Sequence, residues 1–78
     1  MDDTAFKKLN DQRLETLRIL REHVERHGQL FDAWQASGHI ADYRAWEFQK
    51  TRVIEADEDH QEARQAMVDT GLLPATHL

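Results

Sequence analysis

The stretch from Ala41 to Thr70 contains neither glycine nor proline. Along it Trp46, Gln49, Val53, Ala56, His60, Ala63 and Met67 recur at alternating steps of three and four. That spacing places all seven on one face of an α-helix. The face is only partly apolar, because Gln49, Ala56, His60 and Ala63 are polar or small. A helix with such a stripe needs a greasier partner.

The first half of the chain supplies one. Asp2, Asp3 and Thr4 can each cap a helix start, and the acids suit the positive end of the helix dipole. No glycine or proline follows until Gly28, and good helix formers fill much of the interval. Phe6, Leu9, Leu14, Leu17, Leu20 and Val24 mark the apolar side. From Leu17 onward the steps become regular, through Leu20, Val24, His27, Phe31 and Trp34. Lys7 with Asp11, Arg18 with Glu22, Arg21 with Glu25 and Glu22 with Arg26 form opposite-charge pairs four apart, each adding little.

Arg26-His27-Gly28 resembles a helix end, with cations in the last turn and glycine beyond. Yet the apolar phase passes Gly28 without a slip, and a glycine inside a helix costs only about 1 kcal/mol relative to alanine. The pattern predicts a first helix over about residues 4–35, with a break at Gly28 as the alternative. Ser37-Gly38-His39-Ile40 makes the better turn, because Gly38 can take the left-handed conformation that closes a helix. Asp42 or Ser37 can cap the helix that follows, over about residues 42–70. Gly71 fits its end, with Leu72 folding back toward Met67. Pro74 stops continuation, and the tail is expected to be extended.

Two long helices and a short turn predict an all-α antiparallel helical hairpin, coiled-coil-like in spacing. Folding at Gly38 would gather Phe31, Trp34, Tyr43 and Trp46, with Phe48 as a further candidate, into an aromatic lock at the turn end.

A 78-residue chain is one domain, 1–78, with a thin core. It has no cysteine to staple it. Oligomerisation or docking on a larger partner is the remaining route to buried area. The net charge is −5 and the cations are interspersed with acids, so no nucleic-acid footprint stands out. Met1-Asp2-Asp3-Thr4 carries acids where a secretory signal carries positive charge. No run approaches the ~20 apolar residues of a membrane span. The expectation is a cytoplasmic protein that binds neither membrane nor nucleic acid directly.

A two-helix monomer cannot hide everything apolar. If Trp46, Val53 and Met67 face the first helix, then Phe48, Ile54 and Val68 point elsewhere, as do Ile19 and, at the edge, Leu14. Contiguous exposed apolar area marks binding surfaces. These residues therefore predict self-association or docking, with a three-helix monomer broken at Gly28 as the alternative. The expected protein contacts are Leu14, Ile19, Phe48 and Ile54, with Leu72 and Leu73 as an anchor.

Candidate chemistry is sparse. His23 and His27 sit four apart, a chelating spacing, and His60 could join them in a third reading, a metal-binding module. Their order is not that of the zinc proteases, and histidines doing structural work fit the pattern better, so no metal or other cofactor is expected. Glu55, Asp57, Glu58, Asp59 and Glu62 form the densest charge run. On a helix they spread around the cylinder as a solvated surface. As a functional surface they would suit an acidic inhibitor, of antitoxin or anti-defence type, occupying a basic site. No hydroxyl residue sits in a nucleophile motif and no glycine-rich phosphate loop is present, so an enzyme is not expected.

Gly38-His39-Ile40-Ala41-Asp42-Tyr43-Arg44, followed by Val53, Ile54 and Ala56 in mid-helix and then Asp57-Glu58-Asp59, resembles small helical-hairpin proteins encoded among the head and portal genes of tailed bacteriophages. The similarity covers about half the chain. In those proteins a turn ending in Asp-Tyr opens the second helix, here Asp42-Tyr43. The glycines they often carry within that helix are replaced here by Trp46, Phe48 and Lys50. The resemblance implies a virion or assembly component that acts by binding, located in host cytoplasm or virion, with no catalytic residues to carry over.

Overall fold

The computed structural model describes residues 3–72, so Leu73 and the expected extended tail fall outside it. Helix α1 spans Asp3–Ser37 and helix α2 spans Ile40–Asp69, with no strand among the described residues. Thr16 meets His60, His23 meets Gln49 and Trp34 meets Tyr43, so the helices run antiparallel as a hairpin. At 1.5 Å per residue, a helix of 35 residues is ~52 Å long. That length sets the longest dimension of the molecule, which measures 53 × 22 × 14 Å. The radius of gyration is 16.5 Å, against about 11.5 Å for a compact domain of this length.

α1 passes through Gly28 without interruption. The turn is short, only Gly38 and His39, and both of its backbone N–H groups have partners. Gly38 takes φ +67° and its N–H donates to the Trp34 carbonyl at 2.8 Å, closing α1. The Ser37 hydroxyl donates to the Asp42 carboxylate and accepts from the His39 N–H. His39, not Asp42 or Ser37, is the N-cap of α2, and no side chain caps it. Asp42 instead sits in the first turn, where its charge favours the helix dipole. At the far end, Gly71 adopts φ +77° and donates to Val68, while Leu72 N–H donates to the Met67 carbonyl at 2.8 Å. Those two bonds make a Schellman cap.

The aromatic lock forms at the turn. Trp34 packs edge-on against Tyr43 at 5.0 Å between ring centroids and stacks on Trp46 at 5.4 Å. Phe31 joins through Trp34 and Trp46 at 6.0 and 5.9 Å, and His27 stacks on Trp46 at 5.3 Å. Phe48 stands apart from it, with the Arg52 guanidinium 4.9 Å over its ring.

The seam face of α2 follows its sequence pattern, with Gln49, Ala56, His60 and Met67 buried and Trp46, Val53 and Ala63 half-buried. The face of α1 differs from the stripe its spacing suggests. Leu17, Leu20, His27 and Trp34 do lie half-buried and Phe31, though partly exposed, packs on Trp46, but Val24 is exposed. Arg13, Thr16, His23 and Leu30 take part in the seam instead. The helix is rotated so that a more polar line meets α2, and on that line His23 and Thr16 give hydrogen-bond partners to Gln49 and His60.

Replacing Trp34 by alanine removes three ring contacts at once. Trp34→Ala is expected to cost about 2–4 kcal/mol, and Phe48→Ala less than about 1 kcal/mol. Urea titration followed by circular dichroism checks this, and equal losses would contradict the lock.

Candidate functional site

The mid-section of the seam is polar. Gln49 Nε2 lies 2.9 Å from His23 Nδ1 and donates to the His23 carbonyl at 3.1 Å. An amide nitrogen only donates, so Nδ1 accepts and the ring proton sits on Nε2. Thr16 Oγ1 donates to the carbonyls of Gln12 and Arg13 in its own helix and lies 3.2 Å from His60 Nδ1. The imidazole N–H is then the donor of that pair. Burial lowers the His60 pKa first, followed by the nearby Arg64 charge; a hydrogen bond to the Arg13 backbone opposes them, the Arg13 charge adds to the lowering and Asp57 opposes it. Arg13 Nε, His27 Nε2 and Trp46 Nε1 are buried with no hydrogen-bond partner among the described residues. Each such group costs on the order of 1–3 kcal/mol.

The Thr16–His60 pair places a hydroxyl beside an imidazole, but the arrangement lacks other parts of a nucleophilic site. The hydroxyl is held by its own helix, no carboxylate hydrogen-bonds to the ring among the described residues, and the surrounding backbone N–H groups serve the helices. Beside it lies a shallow open groove lined by Gln12, Thr16, Asp59, Glu62, Ala63 and Ala66. The three histidines that spacing offered as metal ligands are engaged separately: His23 by Gln49, His27 by Trp46 and His60 by Thr16. No group of three potential ligands converges among the described residues.

The more informative surface is the outside. Among the described residues the only buried apolar ones are Ala56 and Met67, while Phe6, Leu14, Val24, Phe31, Ile40, Phe48 and Ile54 are all exposed. Among the expected contact residues, Leu14, Phe48 and Ile54 stand in solvent at 47%, 61% and 51% exposure. Ile19 and Leu72 are half-buried, and Leu73 lies outside the described residues. These positions do not form one patch. Phe48 and Ile54 are six residues apart, which turns them about 120° from each other on the helix. Val24 was missed as an outward residue, although its spacing of seven from Leu17 was visible, because that spacing fitted the seam equally well.

The acids Glu55, Asp57, Glu58, Asp59 and Glu62 are all exposed, and Glu55 lies 3.7 Å from Arg52. On α1, Arg18 is clasped by Glu15 and Glu22, and its guanidinium holds the Glu15 carboxyl below the usual range. Lys7 meets Asp11 at 3.9 Å, while the spaced pairs Arg21–Glu25 and Glu22–Arg26 are not made. Glu22 is drawn to Arg18 instead.

No helix among the described residues is long and apolar enough to cross a membrane. Compared with protein-family models, curated proteins and solved structures, the chain matches none.

His60 ties the seam to pH. Its pKa is lowered in the folded chain, so the unfolded chain takes up the proton first. The contribution of this residue is full above the unfolded value of ~6.5 and is lost as pH falls from there through the folded pKa. Thermal melts should show a midpoint that drops between pH 7.5 and pH 5.5, and His60→Gln should flatten that drop. An unchanged pH profile in the variant would contradict the assignment.

Proposed function

We propose that this chain is a non-enzymatic protein–protein interaction component that works within an assembly. The observation that supports this is the inversion of its apolar residues. Among the described residues seven large ones are exposed while only Ala56 and Met67 are fully buried. Outer apolar faces of this kind suit self-association or docking on another subunit. The resemblance around Asp42-Tyr43 to bacteriophage head and portal hairpins makes a virion or virion-assembly role the setting we favour, in host cytoplasm or virion. The partner is then a protein, and neither a cofactor nor a membrane enters.

Two variants separate this from an acidic inhibitor. In the first, Leu14, Val24, Phe48 and Ile54 become glutamine. In the second, Glu55, Asp57, Glu58 and Asp59 become their amides. Solution mass by light scattering over a wide concentration range reads association. The apolar variant is expected to weaken it at least about tenfold, or 1.4 kcal/mol. The acid variant is expected to leave it nearly intact. The reverse ranking would favour the inhibitor and contradict the proposal.

A further inference from the structure

We propose that the seam is a proton-operated latch: in mild acid the helices part from their open end as far as His23 and Gln49, while the turn stays closed. The latch lies within one hairpin and does not depend on the assembly role.

The ties between the helices motivate it. Away from the turn, the hydrogen bonds that join α1 to α2 among the described residues run through two imidazoles, His23 and His60. The ion pairs made by Lys7, Arg18 and Arg52 each stay within one helix.

The geometry requires His23 to be neutral. Gln49 Nε2 lies 2.9 Å from His23 Nδ1 and 3.1 Å from the His23 carbonyl. A carbonyl only accepts, so it fixes the amide with its NH2 toward His23, and Nδ1 must accept as well. A proton on Nδ1 would face an N–H group. Turning the amide over would set its oxygen against the carbonyl instead. No orientation of Gln49 satisfies a charged His23. The surrounding charges leave that conflict in place. Lys50 and Arg52 on α2 and Arg26 on α1 are exposed, Glu22 is drawn to Arg18, and His27 stacks on Trp46.

His60 is kept neutral by what surrounds it. The residue is 8% exposed, with Thr16 Oγ1 3.2 Å from its Nδ1. Burial disfavours the charged ring first. Arg64, one turn along α2, and Arg13, half-buried on α1, act in the same direction through their charges. The Arg13 backbone and Asp57 oppose them, and the exposed Asp59 and Glu62 line the groove beside Thr16. A proton on either ring is tolerated better with the helices apart, so acid favours parting.

The two ends of the hairpin respond differently. At the turn, Trp34, Tyr43 and Trp46 hold each other through ring contacts that involve no titrating group in this pH range. His27 lies 5.3 Å from Trp46 in a stack that suits a cation as well as a neutral ring. Beyond Thr16 and His60 the arms keep Met67 as their buried large side chain. Short helical arms without a partner are marginal in water, so parting exposes their amides.

Hydrogen exchange of the unsubstituted chain, read by mass spectrometry at pH 7.5 and pH 5.5 and corrected for intrinsic rates, tests the latch. Peptides over residues 3–23 and 49–69 should lose protection at least about threefold. Those over residues 27–46 should keep theirs, and tryptophan emission should stay unchanged. The double variant His23→Asn, His60→Gln cannot take up these protons, and Asn keeps an acceptor near the place of Nδ1. It should lose no protection over the same range. Equal protection at both pH values, or an equal loss along the whole chain, would overturn the latch. So would a double variant that opens in acid as the unsubstituted chain does. Should that variant fail to fold, the profile of the unsubstituted chain still decides.

Discussion

Helices of 35 and 30 residues share one seam, so each side chain either lies along it or faces away. That seam is uneven in chemistry. At the turn, His27, Phe31, Trp34, Tyr43 and Trp46 bring aromatic area together. At the other end Met67 is sealed at 1% exposure beneath the Schellman cap. Between them the helices meet through Gln49, His23, Thr16 and His60. Net hydrogen-bond contributions of about 1 kcal/mol each cannot match what the same length of Leu and Ile would give. Three buried nitrogens without partners weigh further against it.

The polar middle still has a use in specifying the pairing. Sliding one helix by a turn would take Gln49 from both His23 acceptors and His60 from Thr16, leaving buried polar groups unpaired. A uniformly apolar seam would allow such a slip at little cost. The arrangement trades stability for a single register, as isolated polar residues do in coiled coils. The apolar area absent from the seam is found on the outside, at Leu14, Val24, Phe48 and Ile54. This links the weak interior to the assembly role proposed for the protein, since the same sequence that starves the core furnishes the outer faces.

Much of this was legible from spacing. The α2 stripe, Gly38, Gly71 and the turn-end aromatics all follow from local rules that involve few residues each. The α1 face was not, for a physical reason. Leu17, Val24 and Phe31 obey the same three-and-four spacing as Leu20, His27 and Trp34, and apolar periodicity alone favours the greasier line. What decides between them is the partner's chemistry: buried Gln49 and His60 need His23 and Thr16 opposite. That pairing is a long-range property that no window on one helix reveals. The outward position of Leu14, Phe48 and Ile54 was readable, but their common patch was not. Phe48 and Ile54 diverge around α2, whereas Leu14 continues the Leu17–Val24–Phe31 line on α1.

If the hairpin completes its burial by pairing with another copy, its stability depends on how much protein is present. The direct measurement is the urea midpoint of the unsubstituted chain, followed by circular dichroism from dilute to concentrated solution. A midpoint that climbs steadily with concentration is the expected result, because dissociation and unfolding are then one process. A midpoint that stays fixed across the range would mean that the polar seam and the aromatic lock hold the hairpin unaided, and would contradict the dependence of this fold on association.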